Sequence, residues 1–454
     1  MLPKEFETRM EMLLKEKYPL LKDELENKDP SRAFRINTIK ASASLFEGKA
    51  LFKATPVPFA ENGYYFSEDK IGNHPYHHAG AIYVQDPSAM ATVNALEIQK
   101  GWRVLDMCAA PGGKTTQLAE KIGKEGLLFS NEYVPSRCKL MVGNLERLGT
   151  TNTVAINTDA KTLSEWFSSC FDLVLADVPC SGEGMFRKNE QAVKMWSEEN
   201  VAACAKRQKE IINYGAKTVK AGGYLLYSTC TFSLEENEMQ IDEFLTTHPE
   251  FSLVPVCESL KAHTENGFTF EGAKSNDLHL CRRFYPHVSK GEGQFFALLR
   301  KNEGSEGSYL YKDASVPLSR IETDTVNEFL SKNLLEYKDL CIRKYNNNII
   351  ALKKDAPIPP RSVFCAGVLL GSINKNLFTP HHHLFSALGD RFIRKIDLPL
   401  SDSRVYSYLH GDVIPVENCE NGFACVRVDG ISLGGAKIVD GMAKNHYPKG
   451  LRIN

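Results

Sequence analysis

R-V-L-D-M-C-A-A-P-G-G-K-T (Arg103 to Thr115) reads as a short strand, a Gly-rich turn and the opening of a helix that runs on to Ile122. Working outward, β-type runs follow at Leu127–Asn131, Thr153–Asn157, Asp172–Asp177 and Gly223–Ser228. Helical patterns lie between them around Arg137 to Leu148 and Asn200 to Val219. Two further strands are expected around Phe270 and at Phe295–Leu299. Such alternation from Gly80 to Lys301 marks βαβ units and an open α/β sheet. Ligands in such sheets bind beyond the carboxyl ends of the strands.

The turn suits a nucleotide-like cofactor. Gly112 and Gly113 let the backbone approach a ligand, and the helix start presents free N–H donors. A phosphate-binding Walker loop is excluded, because the position five before Gly113 is Cys108 rather than glycine. Glu132, ending the second strand, can accept hydrogen bonds from both hydroxyls of a ribose. Asp159, after the third, is placed for an adenine amino group. Arg137 opens the helix after Glu132 and can approach the same ligand.

Two thiols sit at the ends of two later strands, in V-L-A-D-V-P-C-S-G (Cys180) and L-L-Y-S-T-C-T (Cys230). Thiols at neighbouring strand ends beside a cofactor turn point to covalent chemistry on a flat electrophilic ring, and cytosine-5 methylation is that chemistry. Carbon 5 of cytosine is too electron-poor to attack a sulfonium methyl unaided. A thiolate adding to carbon 6 makes carbon 5 nucleophilic and splits one hard step into easier ones. An acid near ring nitrogen 3 would absorb the developing charge, and Asp177 is the candidate if it is protonated or shares a proton with the base. After transfer, a second acid–base group is useful for elimination. Chemistry alone leaves open which cysteine does which job.

The chain resembles the Sun-family RNA (cytosine-5) methyltransferases, most closely the RsmF-like ribosomal RNA enzymes of bacteria. Y-V-Q-D-P-S-A-M (Tyr83 to Met90), the cofactor turn, S-N-E (Ser130 to Glu132) and N-T-D-A (Asn157 to Ala160) carry the resemblance. So do D-V-P-C-S-G-E-G-M-F-R-K (Asp177 to Lys188), S-T-C-T-F-S-L-E-E-N-E (Ser228 to Glu238), P-H-V-S-K-G-E-G-Q-F (Pro286 to Phe295) and K-N-H-Y-P-K-G-L-R (Lys444 to Arg452). It implies a Rossmann-like α/β core with a seven-stranded mixed sheet and S-adenosylmethionine as cofactor. Cys230 is then the nucleophile, Cys180 the assistant in product release, and Asp177 and Lys114 lie at the reaction centre. Cofactor contacts fall on Cys108, Ala109, Ala110, Pro111, Gly112, Gly113, Lys114, Glu132, Arg137, Asp159 and Asp177. The substrate is RNA, most closely 16S ribosomal RNA; transfer RNA and a catalytically silent assembly factor are the alternatives.

The expected division is an N-terminal RNA-binding-type domain at 1–75, the catalytic domain at 76–301, a small α/β module at 310–356 and a PUA-like RNA-binding module at 357–454. N-E-G-S-E-G-S-Y (Asn302 to Tyr309) reads as a linker and P-I-P-P-R (Pro357 to Arg361) as a stiff joint. Of 55 Lys+Arg and 56 Asp+Glu, residues 343–454 hold 15 and 9, a balance of +6 against −7 elsewhere. That surplus suits an RNA anchor. Twelve cysteines without framework spacing argue for reduced thiols in a cytoplasm, and the absence of C-x-x-C argues against structural zinc. No run reaches the ~20 apolar residues of a membrane helix. A monomer is expected. The triplet His381 to His383 reads as a polar loop or helix start rather than a metal site. His77, His78, Arg187 and Lys188 are read as RNA-contact candidates.

Overall fold

The computed structural model describes residues 2–45, 51–304, 307–417 and 419–453. At its centre is a twisted sheet. Its main strands are β1 (Arg103–Asp106), β2 (Leu127–Asn131), β3 (Thr153–Ile156), β4 (Phe171–Asp177), β5 (Val219–Thr229), β6 (Arg282–Phe284), β7 (Gln294–Lys301) and β8 (Val363–Ala366), with the short strands Phe251–Leu253 on β7 and Glu265–Asn266 on β6. The spatial order is β6-β7-β5-β4-β1-β2-β3-β8. Strands β1 to β5 pair in parallel, and β6, β7 and β8 run antiparallel to their neighbours. The first seven make the seven-stranded mixed sheet of a methyltransferase core.

Adjacent residues along each strand face opposite sides, so both faces must be apolar, and they are. Leu105, Phe129, Val174 and Leu225 pack against helices α4 (Ala160–Trp166), α5 (Glu198–Ala216) and α6 (Glu238–Thr247). Val104, Leu128, Leu173 and Leu226 face α1 (Pro87–Val93) and α2 (Gly113–Ile122), while Ala155 packs on α3 (Pro135–Leu148). Phe270 itself lies in coil, between the short strand Glu265–Asn266 and its partner β6. A buried ion pair anchors β6: Arg283 is held by Glu238 of α6, with Arg283 Nε 2.6 Å from Oε1.

Three expected boundaries move. The N-terminal sheet, Ala33–Ile36, Thr55–Pro56, Gly63–Tyr65 and Ile82–Val84, closes on a strand beyond residue 75, so that unit runs into the 80s. The line at 356/357 cuts a second four-stranded sheet, Ile342–Tyr345, Asn348–Ala351, Val368–Asn374 and Leu377–Pro380. Between its second and third strands the chain makes an excursion and lays β8 along the edge of the catalytic sheet, with Ala366 opposite Val154. The expected linker is partly structured: Ser308–Tyr309 pairs with Phe167–Ser168, while Ser305 and Glu306 lie outside the described residues.

The terminal five-stranded sheet is not merely appended. Its Ile396, Val426, Leu433 and Tyr447 share one core with Phe34, Ile36, Tyr76 and Ile82 of the N-terminal unit. Lys40 Nζ donates to Ser432 O at 2.9 Å, and His78 Nδ1 lies 3.1 Å from the Tyr447 hydroxyl. His78 is therefore an interface residue. The helix Lys4–Leu14 likewise docks, burying Phe6 and Met10 against Phe186, Trp196 and Tyr285. Among the described residues no helix is long and apolar enough to cross a membrane.

Candidate active site

Register brings the two cysteine motifs together. Strands β4 and β5 pair in parallel with Asp177 opposite Ser228. Cys180 follows Asp177 by three residues and Cys230 follows Ser228 by two, so both thiols emerge at one height. Their sulfurs lie 3.2 Å apart. The two loops are laced behind them: Gly184 N donates to Cys230 O at 2.9 Å and Ser181 Oγ meets Thr231 Oγ1 at 2.8 Å. A buried carboxylate, Glu183, accepts from Phe232 N at 2.9 Å and from the Trp196 indole at 2.8 Å. Gly184 also packs so closely on Gly293 that an added Cβ would sit 2.7 Å from its Cα.

Asp177 is the hub. Lys114 Nζ donates to its Oδ2 at 2.8 Å, Ser228 Oγ to its Oδ1 at 2.5 Å, and Gln294 Nε2 reaches Oδ1 at 3.4 Å. All three partners donate, so Asp177 is the shared acceptor of the group. Burial pulls the Lys114 ammonium down, but Asp177 outweighs it and leaves the pKa above the ordinary lysine value. The Cys180 thiol is pushed well above its usual range, first by its hydrogen bond with Cys230 and then by burial. A neutral thiol beside a second sulfur is thus the stable form of Cys180. Behind the loop, burial lifts Glu236 to about 7, although Ser181 N and Gln208 Nε2 donate to it at 3.0 and 2.7 Å.

The turn lies over the ends of β1 and β2. Gly112 adopts φ +111° and no side chain caps α2 behind it, which leaves the first N–H groups of the helix for a ligand. Tyr83 and Gln85 close over Gly113, where an added Cβ would lie 3.2 Å from each. Ala109 N donates to Asn131 O, and Arg137 Nη2 to Ala110 O at 2.9 Å. Arg137 also stands 3.6 Å from Glu132, whose other oxygen accepts Val134 N at 2.9 Å. Beneath the turn, Asp106 Oδ2 accepts the Thr115 hydroxyl at 2.7 Å, while its buried Oδ1 has no partner. Burial lifts Asp106 to about 7. Burial also pushes up Cys108, which rules out a thiolate in the turn. Pro111 is exposed at its rim. Unspent N–H groups, an orphaned carboxylate oxygen and an acid at the end of β2 fit a ligand with an amino-acid end and a ribose.

Asp159 does cap α4: Thr162 N and Oγ1 each donate to it at 2.9 Å. Burial pushes its carboxyl up, yet those bonds prevail and hold it below the usual range. Arg187 is spoken for. It is buried, with Nε on Glu292 at 2.7 Å, Nη1 on Glu24 at 3.0 Å and Nη2 on Gly291 O at 2.7 Å, so it ties down the N-terminal helices rather than gripping phosphate. Lys188 pairs with Asp86 at 2.5 Å. His381 caps the helix His382–Leu388, the helix start expected. Cys365 and Glu146 do come near His383, but both ring nitrogens are engaged, by Leu369 N at 3.3 Å and Thr150 O at 3.0 Å. Sequence reasoning missed Ser228 and Gln294. Ser228 could have been found, since it sits two residues before Cys230 on the same side of the strand.

The family model described as 16S rRNA methyltransferase RsmB/F matches residues 93–300. The N-terminal domain of 16S rRNA methyltransferase RsmF matches 2–87, and the methyltransferase RsmF PUA domain matches 395–453. A methyltransferase homolog from Pyrococcus horikoshii superposes with a TM-score of 0.58 at 30% identity, covering 66% of this chain and 95% of that one. The ribosomal RNA small subunit methyltransferase F of Erwinia tasmaniensis is 31% identical over 92% of this chain and 90% of its own. That of Vibrio vulnificus is 31% identical over 92% of this chain and 91% of its own, and on this evidence the chain belongs to the ribosomal RNA small subunit methyltransferase F family.

Proposed function

We propose that this methyltransferase acts on carbon 5 of a cytosine in small-subunit ribosomal RNA, in a cytoplasmic setting that keeps its thiols reduced. S-adenosylmethionine supplies the electrophilic methyl group when bound. The observation that carries the reading is the 3.2 Å approach of Cys180 and Cys230 beside the Asp177–Lys114 pair.

The target base leaves its stack and enters the pocket, since carbon 6 is unreachable inside a helix. Asp177 and Lys114 offer an acceptor and a cationic donor to the polar edge of the ring. Charge pushed toward ring nitrogen 3 meets the ammonium rather than water. The Cys230 thiolate forms the bond to carbon 6, and the electron pair released from the ring's 5,6 double bond makes carbon 5 the nucleophile. After transfer, the carbon 5 proton passes to water, the electron pair it leaves re-forms the 5,6 double bond, and the Cys230–carbon 6 bond breaks with the sulfur departing as thiolate. Cys180, favoured as a thiol, directs its S–H toward the departing sulfur. Glu132 and Arg137 hold the ribose side of the cofactor, Asp159 the adenine, and Cys108 to Lys114 its amino-acid end.

Losing either cysteine can abolish turnover, so the adduct is the informative readout. Cys230→Ala should form no covalent RNA–protein species. Cys180→Ala should accumulate one that survives denaturing gel electrophoresis, only with S-adenosylmethionine and substrate RNA both present. An adduct in Cys230→Ala that is missing from Cys180→Ala would reverse the two roles. Bisulfite sequencing of ribosomal and transfer RNA from a deletion strain tests the substrate: loss of a mark in small-subunit RNA is expected, and an unchanged map would defeat the reading.

A further inference from the structure

The terminal sheet, Lys395–Leu398, Gly422–Val428, Ile431–Val439, Met442–Asn445 and Ile414–Pro415, carries a feature that folding alone disfavours. Lys444 and Lys437 stand directly opposite each other on neighbouring strands, and Phe423 is next in the same row. Like charges directly opposite destabilise a strand pair. Both lysines are exposed, and neither has an acidic partner among the described residues. Elsewhere in this region cations are neutralised: Arg427 pairs with Asp390 and Asp397, Arg404 with Asp402, and Arg391 with Asp339.

The row ends in an aromatic wall. Lys437 Nζ lies 5.6 Å from the Phe423 ring centre, and the exposed His446 ring packs on Phe423 at 5.4 Å. Phe329 stands 5.3 Å from Phe423 and 4.7 Å from Phe378. These rings floor a groove of about 390 Å³ that is also lined by Arg394 and Leu377. Leu377 is 70% exposed, and Arg394 stands 3.6 Å from Glu420 and donates Nη1 to Lys332 O at 3.2 Å, while its buried Nε lacks a partner. Cations beside stacking faces are what single-stranded nucleic acid needs, with phosphates on the charges and a base on the rings.

We infer that a single-stranded segment of the RNA crosses this end of the terminal sheet, with a base in the Phe329–Phe423 groove and flanking phosphates on Lys437 and Lys444. The inference rests on the RNA reading above and adds where the second grip on the substrate lies, remote from the cysteines. Phosphate contacts release counterions, so on a single strand each contributes about 0.7 to the slope of log affinity against log salt.

The test uses the full chain and a fluorescein-labelled unstructured RNA of on the order of twenty nucleotides, long enough for more than one stacking site. Wild type, the double variant Lys437→Ala/Lys444→Ala and the double variant Lys437→Arg/Lys444→Arg are titrated by anisotropy across a salt series. The alanine pair should weaken binding about tenfold and flatten the salt slope by about 1.4. The arginine pair should restore both, and S-adenosylmethionine affinity should stay unchanged in all three. If wild type binds RNA and the alanine pair binds equally with an equal slope, this surface is overturned while the RNA reading stands. If wild type binds no RNA, both fall together.

Discussion

The catalytic sheet and the C-terminal third are built from strands of similar length, yet only the first can be laid out from local signals. In the sheet, each site residue follows its own strand by a few positions, and parallel pairing of β4 with β5 alone brings Cys180 to Cys230. In the C-terminal third, the decisive partners are hundreds of residues apart: Val363 opposite Ile156, Lys40 on Ser432, Ile82 in one core with Val426. A region that reads as an appendage is therefore part of the frame around the active site.

The sharpest way to break that comparison is truncation at Pro357. An appended module would come away cleanly. Here its loss strips β8 from the sheet edge and bares Phe34, Ile36, Tyr76 and Ile82. At ~1.5–3 kcal/mol per large buried side chain, that rivals the ~5–15 kcal/mol of a whole domain. We expect aggregation or a molten species in circular dichroism and dye binding. A soluble fragment that melts cooperatively and binds S-adenosylmethionine would restore the appendage view.

Within the catalytic unit, the largest single effect should come from Arg283→Met. Arg283 and Glu238 are both fully buried, and the substitution leaves that carboxylate without its cation. Breaking a buried pair from one side costs about 3–5 kcal/mol, to be read by denaturant unfolding. A loss below about 1 kcal/mol, the level of an exposed pair, would show that water reaches Glu238.

Asp106 links the site to pH. Its folded pKa of about 7 lies above its unfolded value, so the native state binds the proton more tightly. Its stabilising contribution is complete below about pH 4, falls as pH rises toward 7 and is flat beyond, a span of a few kcal/mol. Asp106→Asn should reduce this decline without abolishing it, because burial lifts Glu146 and Glu236 to about 7 too. Identical stability–pH slopes in wild type and variant would place Asp106 in contact with solvent.

The smallest effect concerns the ligand alone. Glu132→Ala should cost about 1–3 kcal/mol of cofactor binding, tenfold or more in affinity by calorimetric titration. Unchanged affinity would remove Glu132 from the site.

Much of the site was legible because its chemistry is local. The turn from Cys108 to Lys114, Glu132, Asp177 and both cysteines each sit within a few residues of a strand whose apolar pattern announces it. Ser228 and Gln294 were overlooked because a hydroxyl and an amide take on a role only once register sets them against Asp177. Arg187 and His78 were misjudged for a related reason. A charged or aromatic polar residue in a loop looks free until the partners that consume it, here Glu24, Glu292 and Tyr447, arrive from distant parts of the chain.

The sequence by itself determined the α/β alternation, the Gly-rich turn and the placing of two thiols at neighbouring strand ends, because strand periodicity and turn chemistry act over a few residues. Tertiary structure alone decided that Asp177 accepts from Lys114, Ser228 and Gln294, that β8 closes the sheet, and that the terminal module shares a core with the N-terminal unit. Those outcomes depend on which buried surfaces and unmet hydrogen bonds find each other across long loops. The free energy of such pairings lies in both partners together and in neither segment alone.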